Sequence, residues 1–100
     1  MRITIAMTKD DPQLGFREFE LTAYVYGQEE PFMRAQIFVR LSLRPMMDTS
    51  LSAKVARTSA ERRMVAELAN KVNLVCDLLE VNPNVNNPEY IAHHVGFSAE

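Results

Sequence analysis

Between Met33 and Arg44 the chain alternates strictly: Met33, Ala35, Ile37, Val39, Leu41 and Leu43 are apolar, and Arg34, Gln36, Phe38, Arg40, Ser42 and Arg44 stand between them. A helix would scatter this rhythm around its circumference, whereas a strand sends successive side chains to opposite faces. The stretch therefore predicts a strand with one aliphatic face, and that face needs a cover. The same rhythm runs from Phe16 to Tyr26, with Phe19, Leu21, Ala23 and Val25 on one side and Glu18, Glu20, Thr22, Tyr24 and Tyr26 on the other. Gly27-Gln28-Glu29-Glu30-Pro31 supplies the turn, which predicts a hairpin centred near Gln28-Glu29. With that centre, odd positions of both strands face inward and even positions outward. A shorter alternation of Ile3, Ile5 and Met7 predicts a third strand, ended by the polar Lys9-Asp10-Asp11-Pro12-Gln13 loop, and Pro45 ends the hairpin.

Beyond Pro45 the period changes. Asp48 or Ser50 can cap a helix, and Thr58-Ser59-Ala60-Glu61 has capping-box spacing. Two readings stand: one helix from about Leu51 to Val81, or a short helix to Arg57 and a second from about Ser59. Val65, Leu68, Val72, Val75 and Leu79 form an apolar stripe, widened by Met64, Ala69, Cys76 and Leu78, so this helix is amphipathic and packs on the sheet. Asn82-Pro83-Asn84-Val85-Asn86-Asn87-Pro88 stops it. Asn87 and Pro88 then open a short helix through Val95 that Gly96 ends, with Ile91, Val95 and Phe97 facing the core. The expected fold is α+β in a single domain over 1–100. It comprises a three-stranded antiparallel β-meander (1–45), a long amphipathic helix on one face (helical segment 50–81), an Asn/Pro turn (82–87) and a short C-terminal helix (88–96).

Within that last helix, Tyr90-Ile91-Ala92-His93-His94-Val95-Gly96-Phe97-Ser98 resembles the first helix and turn of the helix-turn-helix in arabinose-regulator-type activators, through the "IA..VGFS" pattern. The resemblance spans nine residues of 100. No recognition helix follows within the chain, and without one nothing enters the major groove, so no function is carried over.

Charge is segregated. Residues 1–30 carry a net of -3, residues 31–63 a net of +5 and residues 64–100 a net of -4, for -2 in all. Part of the basic middle is answered by parity, since Glu18 and Glu20 share the outer face with Arg34, Arg40 and Arg44. That arrangement predicts a cross-strand charge ladder, each opposed pair contributing roughly 0.2–1 kcal/mol. Tyr24, Tyr26 and Phe38 put three aromatic rings among those charges, which marks an outward patch that something covers: a second copy, another protein, or the chain's own tail.

Catalytic groupings are sparse. Cys76 sits mid-helix beside Asp77, without the cation or helix N-terminus that activates a thiol. His93 and His94 are adjacent and diverge on a helix, and His93 with Glu89 makes only one i,i+4 pair, so no metal or other cofactor is implied. Gly15, Gly27 and Gly96 are scattered, which leaves no phosphate-cradling loop. A non-enzymatic protein-interaction module is therefore expected. It could act as a small inhibitor or adaptor that occupies a partner's functional surface, with Tyr24, Tyr26, Arg34, Phe38 and Arg40 as the partner-binding residues, and a homodimer is expected as well. Six methionines suit an adaptable contact surface. The alternative is a nucleic-acid accessory protein using Arg44, Lys54, Arg57, Arg62 and Arg63. One cysteine, no apolar run of the ~20 residues that span a bilayer, and an amino terminus without a signal-like apolar core predict a cytoplasmic protein that does not engage membranes.

Overall fold

The computed structural model describes residues 1–42 and 46–99. Its chain order is β1 (Arg2–Asp11), β2 (Phe16–Tyr24), β3 (Met33–Arg40), β4 (Met46–Ala53), α1 (Ser59–Val81), α2 (Pro88–Val95) and β5 (Ser98–Ala99). The strands make one sheet in the order β4-β3-β2-β1-β5. β1 to β4 are antiparallel neighbours, and β5 adds a short parallel pairing of Ser98 and Ala99 beside Thr4 and Ile5.

Parity holds in the central hairpin. Phe19 lies opposite Ile37 and Leu21 opposite Ala35, so the hairpin folds about position 28, and Gly27 takes the positive φ of 80° that its turn requires. The inward set is buried: Ile3, Ile5, Phe19, Leu21, Ala23, Met33, Ala35, Ile37 and Val39 form one core with the stripe of α1. Val25 departs from expectation, because β2 ends at Tyr24 and Val25 enters the turn half exposed. Leu43, Arg44 and Pro45 lie outside the described residues.

The expected helical segment starting at 50 is corrected. Residues 46–53 form a fourth strand, in which Met47 lies opposite Val39 and Leu51 opposite Ala35. The Ser and Thr side chains that can cap helices here occupy a polar edge strand instead, where one side of the backbone and most side chains meet water. The meander therefore has four antiparallel strands rather than three. A single helix then begins at Ser59. Thr58 Oγ1 accepts from the Glu61 backbone N–H at 3.1 Å, and the Glu61 carboxylate accepts from the Thr58 N–H at 3.1 Å, which completes the capping box. Met64, Leu68, Val72, Val75, Leu78 and Leu79 of α1 are buried against the sheet.

The carboxyl-terminal part closes the same side. Asn87 caps α2 by accepting from the Glu89 N–H, and Gly96 ends it with φ 84°. Ile91, Ala92 and Val95 join the core with Phe97 packed beside them. Lys71 Nζ donates to the Val95 carbonyl at 2.8 Å, which ties α2 to α1 and satisfies a helix-terminal acceptor. The 82–87 turn is held from beneath by Arg17. Its guanidinium is buried, pairs with Asp10 at 3.0 Å and donates to the Val85 carbonyl at 3.1 Å. Among the described residues, then, helices cover one face of the sheet and the chain's own tail does not cover the other.

Candidate functional site

The uncovered face can be read off the strand register as successive rows. The first described rows are Arg2 and Tyr24, then Thr4, Thr22, Arg34 and Ser52, then Ala6, Glu20, Gln36 and Ser50. Glu18, Phe38 and Asp48 follow, and Phe16, Arg40 and Met46 close the face at its far end. Four of the five expected contact residues (Tyr24, Arg34, Phe38 and Arg40) thus share this face. Tyr26 does not. It lies past the end of β2, is 92% exposed, and lines a separate open groove of about 330 Å³ with Met1, Val25, Arg63 and Met64.

Among the described residues, which leave out Arg44, the expected charge ladder is corrected to a single pair. Glu20 lies opposite Gln36 and reaches Arg34 only on the diagonal, at 3.9 Å. Glu18 lies opposite Phe38 and accepts from the Thr8 hydroxyl at 2.8 Å. Arg40 lies between Phe16 and Met46, and no carboxylate among the described residues pairs with it. The even positions share a face as parity requires, but the register offsets the acids from the arginines by two residues.

At the Arg40 end the face becomes concave. Phe16 and Phe38 stack with centroids 5.3 Å apart and planes 21° from parallel. Together with Leu14, Arg40, Leu41 and Met46 they line a concavity of about 460 Å³. Its lining is mostly aromatic and aliphatic, and the exposed Arg40 is its cationic member. Such a lining is chemically suited to an apolar side chain carried next to a carboxylate. At the opposite end the Arg2 guanidinium lies 4.5 Å over the Tyr24 ring, and the Thr4 and Thr22 hydroxyls bond each other at 2.6 Å. That end is already satisfied internally.

Two concavity residues were missed, of which only Phe16 was legible. Phe16 has the parity of Phe38 and begins the same alternation, and Met46 became visible only with β4. The basic alternative set is dispersed: Lys54 pairs with Glu30 at 3.7 Å, Arg62 donates to the Ser59 hydroxyl, and the Arg57 and Thr58 backbones donate to the Glu61 carboxylate. Arg44 lies outside the described residues. Burial, with Asp77 and Glu80 nearby, pushes the Cys76 thiol up, away from the thiolate form that reacts. His93 and His94 are exposed on the last turn of α2, and His94 stacks on Tyr90. Among the described residues no three potential metal ligands cluster, and no helix is long and apolar enough to cross a membrane. No family model matches the chain, and no curated protein or solved structure matches it.

Proposed function

We propose that this chain is a non-enzymatic protein-interaction module that docks a partner protein on its open sheet face and self-associates. The reading rests on the concavity around Phe38: a stacked aromatic pair on the side of the sheet that no helix covers, with Arg40 in its lining. Hydrophobic burial gives such a contact its energy, and the guanidinium selects a partner segment that carries an acid beside its apolar anchor. Occupying another protein's functional surface, as a small inhibitor or adaptor does, is the use this geometry suits. The nucleic-acid alternative is less well supported, because Glu30 and Glu61 stand among Lys54, Arg57 and Arg62.

The test is capture from the native host's lysate with four forms of the chain. A protein retained by the wild type and Arg63→Glu, and lost with Phe38→Ser and Arg40→Glu, is the expected result. Retention by Phe38→Ser overturns the docking role of this face. Titration with single- and double-stranded DNA and RNA at low salt is expected to give no binding, whereas binding that weakens steeply as salt rises would favour the basic segment instead.

A further inference from the structure

Among the described residues no strand pairs with the outer edge of β4, and the chemistry of that edge is unusual. Lys54 N–H donates to the Phe32 carbonyl at 3.0 Å, one step beyond the Met33–Ala53 pair. In an antiparallel ladder the hydrogen-bonded pairs recur every second residue. The even residues of β4 therefore bond to β3, and Met47, Thr49, Leu51 and Ala53 turn their N–H and C=O groups toward the free side. These same residues send their side chains to the helix-covered face, where Leu51 remains 48% exposed. Strand edges that stay unpaired are ordinarily blunted by Lys, Pro, a bulge or an inward charge. Within β4 there is none of these, and Asp48, its one charge, points to the opposite face.

We infer that β4 pairs antiparallel with β4 of a second copy about a two-fold axis at Thr49, joining two sheets into one. The inference rests on the self-association proposed above, but not on the open face. Self-complementarity selects the occupant and the register. A two-fold axis normal to the sheet keeps each side chain on its own face, so the copies align odd with odd. Centring on Asp48 would oppose two like charges, which is unfavourable. Centring on Ser50 would set Met47 over Ala53 and Leu51 over Thr49, and centring on Leu51 would pair only residues 49–53 of β4 with one another, against 46–52 for Thr49. Centring on Thr49 sets Met47 over Leu51 of the second copy twice, faces Asp48 with Ser50, and brings the free N–H and C=O groups of both edges into hydrogen-bonding position. The contact is isologous and closes at two chains.

The experiment is light scattering on the full chain over a wide concentration range. Thr49→Pro removes one outward N–H and leaves the β3–β4 bonds in place, since proline is tolerated where the N–H faces away from the sheet. Leu51→Lys is the second variant should the first fail to fold. The wild type and Phe38→Ser are expected at twice the 11.4 kDa chain mass, and Thr49→Pro and Leu51→Lys at the single-chain mass with unchanged circular dichroism. A dimer that survives both β4 variants overturns the inference. If that dimer is lost in Phe38→Ser, the self-association reading stands without it, and a wild type that stays monomeric overturns both. Larger assemblies contradict two-fold closure. In a Cys76→Ala background, Thr49→Cys is expected to give a covalent dimer on oxidation, because opposed Cα atoms in such a pair lie about 5.5 Å apart, and failure of that bridge rejects the register.

Discussion

The two edges of this sheet are managed in opposite ways. At the β1 edge the register slips between Met7 and Lys9, the chain turns charged through Lys9, Asp10 and Asp11, Pro12 follows, and β5 covers Thr4 and Ile5. Arg17 then pins this corner to the 82–87 turn. Each device removes or spoils a template for strand addition. Met46–Ala53 has no bulge, proline or lysine and a single charge, and Lys54, one step beyond it, pairs with Glu30. This contrast between a bulge, three charges and a terminal strand on one edge and one charge on the other is what the β4 joint proposed above accounts for. The open face between them has its own division, with a satisfied Arg2–Tyr24 end and an aromatic concavity at the other.

The contrast predicts unequal costs of truncation. Ile5→Ala on β1 removes a fully buried side chain and is expected to lower stability by about 2–5 kcal/mol in urea unfolding. Leu51→Ala, measured dilute enough to be monomeric, is expected to lower it by under about 1 kcal/mol, because half its surface is already wet. Equal losses would break the comparison. Arg17→Met comes next, at about 2–3 kcal/mol, since it leaves the Asp10 carboxylate and the Val85 carbonyl without their donor. Smallest is Arg34→Ala, at under about 0.5 kcal/mol, because its 3.9 Å pair with Glu20 is diagonal and solvent-exposed. Disarming the guarded edge sharpens the contrast from the other side. Lys9→Val with Asp11→Val in the Thr49→Pro chain is expected to restore association, read by light scattering.

The central hairpin, the body of the long helix with its capping box at Thr58 and the Asn87-capped helix were legible because each carries a local signal, namely sustained parity, an apolar stripe with that box, and an N-cap with a glycine stop; where the long helix starts stayed open between Leu51 and Ser59. β4 was not legible. An edge strand buries little, so Met46–Ala53 has weak apolar contrast, and its Ser, Thr and Asp residues are as suited to helix caps as to a wet strand. Arg17 was missed for a related reason. Its odd position marks it as inward, but the carbonyl that accepts its proton comes from the turn more than sixty residues away. The face of the candidate site followed from parity. Its shape did not, because the Phe16–Phe38 stack and Met46 depend on register and on the unseen strand.

Amide hydrogen exchange resolved to single residues tests the edge joint most directly. At high protein concentration the Met47, Thr49 and Leu51 amides are expected to exchange slowly, and on dilution or in Leu51→Lys to exchange as solvent-facing amides do, while the Ser50 amide, bonded to β3, keeps its protection in both. Fast exchange at Met47, Thr49 and Leu51 at every concentration would contradict the joint.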